Sequence, residues 1–211
     1  MSIVVAVRYK NGVVIGSDNR ATYKGRLSYD NCTKIITTTY TNHAIGTVGT
    51  LRAVNLMSVK DEFMEYKDIL DDVEVDLSYM SSVIIPNLIQ HLNDNHVLHR
   101  NTDGTISSDN CFIYATNNNI YTIMSDFGVI EMPNWSVIGC GEDMVMGLLN
   151  TIEIDDDCTV DEYFGKMERD DAVSLIQTAI LLACKNDTYI SQSCDIVVLE
   201  KDGCVIEEKD K

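Results

Sequence analysis

The chain has 211 residues, 45% of them hydrophobic, with 16 Lys and Arg against 33 Asp and Glu for a formal net charge of −17. That length suits a single domain over residues 1–211 that buries a full core without disulfides, and the composition excludes disordered and collagen-like classes. A chain this acidic repels phosphate backbones, which argues against nucleic acid as a partner.

Strands open the chain. Ile3–Tyr9 is rich in β-branched residues, Lys10-Asn11-Gly12 supplies a hairpin turn, and residues 13–17 return to end at Asp18. Residues 19–31 are polar and read as a loop. Residues 33–40 and His43–Val48 predict a second hairpin of buried-sheet character. Gly49 marks a change of period. Leu56, Val59, Phe63, Tyr66 and Leu70 then share one helical face, and Leu77, Met80, Ile84, Leu88 and His91 share the face of a second helix that Pro86 is expected to kink. Strands return at Cys111–Thr116, 119–124 and 128–131, followed by a helix over 141–151. Cys140, Met144 and Met146 read as core. A fourth helix puts Val173, Ile176, Ile180 and Ala183 on one face, and residues 193–200 and 204–207 close the chain as a hairpin.

Strands come in blocks instead of alternating with helices, so a doubly wound parallel sheet is disfavoured. The block order predicts an α+β fold, a four-layer αββα sandwich of two stacked antiparallel sheets flanked by helix pairs. Covering both faces of each sheet explains why the strands lack clean polar alternation.

Seven cysteines are scattered with no Cys-x-x-Cys pair, so no zinc or thioredoxin-like site is signalled. No cationic-then-apolar leader and no apolar run near ~18 residues occur, which predicts neither signal peptide nor membrane contact and places the chain in a reducing cytoplasm. The sequons at Asn31, Asn134 and Asn186 carry no meaning there. The acidic runs at 71–76 and 153–157 read as solvated surface. A complete dinucleotide fingerprint, a phosphate-binding loop and a Gly-x-Ser-x-Gly elbow are all missing from the sequence. No metal site and no cofactor are predicted, and the four histidines read as structural or surface residues.

The N-terminus carries the chemistry. A small residue at position 2 generally allows removal of Met1, which would expose Ser2 with a free α-amine. Such an amine titrates at about 7.7–8.0 and can serve as a neutral base beside its own hydroxyl. The segment from Ser2 through Gly12-Val13-Val14-Ile15 to Asp18-Asn19-Arg20-Ala21-Thr22 resembles the opening of a proteasome β subunit or its bacterial relative, the HslV-type peptidase. Asp18 follows Ser2 by sixteen positions and Lys34, in Thr33-Lys34-Ile35-Ile36, by thirty-two, as in that family. His43-Ala44-Ile45-Gly46-Thr47-Val48-Gly49 is similar to the family strand that ends in an oxyanion glycine. Ser136-Val137-Ile138-Gly139-Cys140-Gly141 is similar to its Gly-Ser-Gly turn, and Lys185-Asn186-Asp187-Thr188-Tyr189 to its late aspartate segment.

The resemblance implies an N-terminal-nucleophile hydrolase of the threonine-peptidase type with Ser in place of Thr. Ser2 Oγ would attack a peptide carbonyl, and the α-amine would take and return the proton. Lys34 would favour the alkoxide by its charge, Asp18 would hold Lys34, and Asp187 would fix the terminal amine. The Gly49 N–H would face the oxyanion, a contribution often worth ~3–4 kcal/mol. Thr22 and Thr47, with Gly49, would line the substrate cleft. The resemblance further implies a stacked homo-oligomeric ring, hexameric or heptameric, that encloses protein or peptide substrates and works with an ATP-dependent unfoldase or a capping ring. Two alternatives stay open: a non-catalytic ring subunit that retains Met1, and an N-terminal-nucleophile amidase or ligase. Cys140 stands where the family turn has a serine. Ile190 stands near the place of another supporting serine, with Ser191 one position on. Taken one at a time, Asp18 reads as a turn or cap residue and Lys34 as edge-strand protection.

Overall fold

The computed structural model describes residues 2–23, 27–37, 42–58, 74–152, 159–188, 190–200 and 203–208. The first hairpin forms as the Asn11-Gly12 signal predicts: β1 (Ile3–Tyr9) pairs antiparallel with β2 (Gly12–Asp18). The polar stretch that follows is not a plain loop. It folds as the short hairpin β3 (Arg20–Tyr23) and β4 (Leu27–Asp30), with Arg20 opposite Asp30 in register. Opposite charges directly across a strand pair stabilise it, a signal that polarity alone hid. Lys34 precedes β5 (Ile35–Thr37), which pairs with β6 (His43–Val48). The predicted strand end at 38–40 lies outside the described residues.

Helix α1 (Leu51–Ser58) follows Gly49 as expected. The remainder of that predicted face, from Val59 through Leu70, lies outside the described residues. The second predicted helix exists but is not kinked in the simple sense. It runs as α2 (Leu77–Tyr79), a π-helical segment (Met80–Ile84) and α3 (Ile85–Asp94). Pro86 sits in the first turn of α3, where its missing N–H is tolerated, and the preceding wide turn bonds Ile85 N–H to Met80 O. A small ribbon, β7 (His99–Arg100) and β8 (Ile106–Ser107), surrounds Asp103-Gly104. Then come β9 (Cys111–Thr116), β10 (Ile120–Ile123), β11 (Val129–Met132) and β12 (Trp135–Gly139). Helices α4 (Glu142–Ile152), α5 (Val160–Lys166) and α6 (Arg169–Asn186) precede the closing hairpin of β13 (Cys194–Glu200) and β14 (Gly203–Glu208).

Apart from the β3–β4 and β7–β8 ribbons, the described strands form two five-stranded antiparallel sheets, ordered β12-β1-β2-β13-β14 and β11-β10-β9-β6-β5. Alternation along β1 divides the core. Ile3, Val5, Val7 and Tyr9 pack with Val145, Phe164, Ile176 and Ile180 of α4, α5 and α6. Val4 and Ala6 enter a second cluster that draws on both sheets, with Ile15, Ala44, Ile113 and Val197. Ile45, Phe112, Tyr114 and Tyr121 turn the other way, onto α1, α3 and the π-helical segment. Gly46 permits the close approach between sheets, since a Cβ there would lie 2.6 Å from Val4 Cγ1. The fold is thus α+β with antiparallel sheets, as expected.

Three core expectations need correction. Met144 and Met146 are 41% and 38% exposed, because each stands about 100° around α4 from Val145, on either flank of the stripe that Val145 and Leu149 bury. Cys140 is exposed in the turn after β12 and belongs to the site described next.

Candidate active site

Asp18 ends β2, and Lys34 lies just before β5 of the other sheet. Both are almost fully sealed from solvent, at 0% and 1% relative exposure. Their side chains form an ion pair with Lys34 Nζ 2.6 Å from Asp18 Oδ1. Lys34 is therefore not an edge-strand charge facing water. Asp18 gathers three backbone donors as well: Ile3 N–H donates to Oδ1 at 2.9 Å, and Arg20 N–H and Ser191 N–H donate to Oδ2 at 3.1 and 3.3 Å. Every strong acceptor direction of this carboxylate is in use.

The Ile3 bond places Ser2. Asp18 holds the N–H side of the Ser2–Ile3 peptide, and the other side is held as well, because Ser2 C=O accepts from Cys140 N–H at 3.0 Å. Gly139 makes this possible. Its φ is +116°, and a Cβ at that position would lie 2.1 Å from Ser2 O. Gly141 is similarly constrained, with a Cβ there only 2.7 Å from Ala183 Cβ, so α6 packs directly against the turn.

Cys140 stands between two acceptors. Its thiol reaches Ser2 O at 3.4 Å and hydrogen-bonds the Asp187 carboxylate. Partial burial of the sulfur, reinforced by the Asp187 hydrogen bond and charge, pushes the thiol up to about 11, so it stays protonated near neutrality. Asp187 caps the C-terminus of α6, its own N–H bonded to Ala183 O. The structure therefore brings Ser2, Asp18, Lys34 and Asp187 together, the last through Cys140.

The supporting serine behaves differently from the family pattern. Ile190 is fully buried in the core beneath α6. Ser191 serves Asp18 through its backbone, while its hydroxyl accepts from Ser193 N–H at 3.1 Å. Arg20, absent from the predicted site residues, also contributes. Besides its N–H to Asp18, its guanidinium pairs with both carboxylate oxygens of Asp30 at 2.7 and 3.1 Å and donates to Thr188 O at 3.0 Å. The sequence signal was its place two residues after Asp18, opposite Asp30.

Gly49 and Thr22 meet at a cleft of about 670 Å³ that is also walled by Thr50, Leu51 and Asn55. Gly49 is exposed with φ +130°, a conformation that suits glycine, and a Cβ would lie 2.4 Å from Asp109 O. A second cleft of about 650 Å³ shares Leu51 and Asn55 and is walled by Ala21, Thr33 and Ile35, the residues flanking Thr22 and Lys34. Thr47 does not reach these surfaces. It is fully buried, with its N–H bonded to Lys34 O at 3.0 Å and its hydroxyl without a hydrogen-bond partner among the described residues. Among the described residues no group of three or more His, Cys, Asp or Glu side chains is placed to hold a metal ion. Nor is any described helix long and apolar enough to cross a membrane.

Residues 2–67 match the family model described as Proteasome subunit. No curated protein sequence matches the chain. Among solved structures, the chain is similar to Thiobacillus denitrificans BPH, with a TM-score of 0.68 at 14% identity over 94% of this chain and 97% of that one. It is also similar to the Anbu (Gly-1) mutant from Hyphomicrobium sp. strain MC1, with a TM-score of 0.68 at 13% identity over 100% of this chain and 86% of that one. At such identities the structural likeness speaks for the fold, which it covers nearly end to end. The family match supports a proteasome-type relationship for the segment that carries Ser2, Asp18, Lys34 and Gly49.

Proposed function

We propose that this chain is a proteasome-like peptidase whose nucleophile is Ser2, exposed when Met1 is removed. The observation that carries the reading is the buried Asp18–Lys34 pair wired to the Ser2–Ile3 peptide. Burying two charges costs several kcal/mol per ion, and a well-packed apolar pair is often as stable. An ion pair at 0% and 1% exposure is therefore poorly explained by stability alone. Its position explains it better, since it delivers a positive charge beside the first residues of the chain.

In this mechanism Ser2 Oγ attacks the carbonyl carbon of a peptide bond, and the Ser2 α-amine accepts the hydroxyl proton. Lys34 stabilises the developing alkoxide, and Asp18 keeps Lys34 charged and aimed. The oxyanion forms toward the Gly49 N–H at the cleft shared with Thr22. The amine returns the proton to the leaving nitrogen, and water then releases the acyl group from Ser2. Asp187, through Cys140, steadies the Ser2 backbone. Thr47 contributes behind the cleft by supporting Lys34.

The three cores fit a four-layer αββα sandwich, and a single domain spanning residues 1–211 accounts for the two sheets and their helices. In a homo-oligomeric ring, hexameric or heptameric and stacked, this site would face an enclosed chamber in the cytoplasm, fed by an ATP-dependent unfoldase or a capping ring.

Intact mass of the purified protein, together with hydrolysis of fluorogenic peptides, tests the reading. Loss of Met1, turnover by the wild type, and its disappearance in Ser2→Ala are expected. Complete retention of Met1 in an assembled ring would remove the proposed base and identify the chain as a non-catalytic ring subunit.

A further inference from the structure

We infer that Arg20 is a positioning residue that locks the segment carrying Asp187 and Ser191 onto the Asp18 centre. This inference rests on the peptidase reading only for its kinetic consequence. Arg20 joins three parts of the chain. Its N–H binds Asp18 Oδ2, its guanidinium grips both oxygens of Asp30 on β4, and its remaining arm reaches Thr188 O, 168 residues away in sequence.

Thr188 lies between Asp187, which hydrogen-bonds Cys140, and Ser191, whose N–H binds Asp18. The Arg20 guanidinium thus ties the β3–β4 hairpin to this segment directly. The Arg20 and Asp30 side chains are 25% and 50% exposed. An ion pair that open contributes little stability, typically ~0–1 kcal/mol. What the planar fork supplies is geometry. Two parallel bonds to Asp30 fix the guanidinium plane, and the fixed plane aims the third bond at Thr188 O. A lysine ammonium has no planar fork, so it cannot reproduce the paired bonds to Asp30 that fix the direction of the third. Arg20 thus acts through Asp187 and Asp18, while touching no reacting atom itself.

Cys140 reports on this lock, because its thiol is held protonated in part by Asp187. The test is the rate of iodoacetamide alkylation of Cys140, read peptide by peptide by mass spectrometry at pH 8.5. It is run on the full chain as wild type, Arg20→Ala, Arg20→Lys and Asp30→Asn, with melting temperatures recorded in parallel. Freed Asp187 should raise Cys140 labelling at least about fivefold in Arg20→Ala, with the melting temperature within a few degrees of wild type. Arg20→Lys should stay near the alanine variant, and Asp30→Asn should fall between. Peptide turnover should lose kcat with little change in KM. Unchanged labelling in Arg20→Ala, or full restoration by Arg20→Lys, overturns the inference. Raised labelling in a protein with no peptide turnover would support the lock while sinking the peptidase reading.

Discussion

Asp18→Asn is the perturbation that tests the site most directly. Asp18 accepts Lys34 Nζ and Ile3 N–H on one oxygen, and Arg20 N–H and Ser191 N–H on the other. Asparagine keeps one acceptor oxygen and turns the other into an NH₂ donor. Whichever way the amide faces, two donors meet a donor. Two hydrogen bonds go, at about 1–3 kcal/mol for each buried group left unsatisfied. Lys34, 1% exposed, loses its counter-charge, and breaking a buried pair from one side costs about 3–5 kcal/mol. These terms overlap, so a net loss of about 5 kcal/mol is expected, against the ~5–15 kcal/mol that stabilises a typical domain. At roughly 2–4 °C per kcal/mol for a chain of this size, the melting temperature should fall by about 10–20 °C. Adding Lys34→Met removes the stranded charge while keeping the volume of the side chain, and should return about 5–10 °C of that loss. Thermal unfolding followed by far-UV circular dichroism on wild type, both single variants and the double variant reads all four corners. A drop below about 4 °C in Asp18→Asn, or strictly additive losses in the double variant, would refute the claim that a sealed, fully satisfied carboxylate anchors this site.

Two other perturbations follow from the same geometry. Gly139→Ala would force a Cβ to 2.1 Å from Ser2 O at φ +116°, so strain of about 1–3 kcal/mol adds to a displaced Ser2. A melting temperature lowered by at least about 5 °C, with peptide hydrolysis reduced more than tenfold, is expected, and a wild-type profile would contradict the stated role of this turn. Cys140 is exposed, yet its thiol is raised to about 11, so the thiolate becomes scarcer at any given pH. Its iodoacetamide labelling at pH 8.5 should run about two orders of magnitude slower than that of an ordinary cysteine and climb steeply toward pH 11. By linkage, the same shift favours the folded state below the ordinary thiol value near pH 9 and withdraws that support as pH rises toward 11. Fast labelling at pH 8.5 would mean that partial burial and Asp187 together do not hold the thiol protonated.

What the sequence disclosed was whatever rests on near neighbours. The hairpin at Asn11-Gly12 is legible because two residues set the turn, and the faces of α3 and α6 are legible because 3.6-residue periodicity is local. The β3–β4 hairpin was missed because its residues are polar and its evidence is a cross-strand pair, Arg20 with Asp30, that acquires meaning only once the strands are aligned. β12 was seen only as a turn motif, since its burial alternates and its pairing with β1 lies far off in sequence. α5 was missed although its signature was present: Thr159 and Glu162 form a capping box.

The site shows the same division more sharply. By local rules Asp18 is a turn residue and Lys34 a strand-edge charge, and both readings are wrong about solvent. Neither residue contains any sign that the other will neutralise it, because the pair joins the end of one sheet to the start of a strand in the other. The spacing of Ser2, Asp18 and Lys34 became informative only by resemblance to a family in which three separated positions act together. The departures are physical as well. Once Gly141 lets α6 approach the turn, position 190 falls in the apolar core where isoleucine fits, and the polar contact to Asp18 passes to the backbone of Ser191. A backbone N–H is available from any residue but proline. The requirement for the bond to Asp18 is therefore placement of the segment, which Arg20 supplies through Thr188, while the Ser191 hydroxyl accepts from Ser193 N–H.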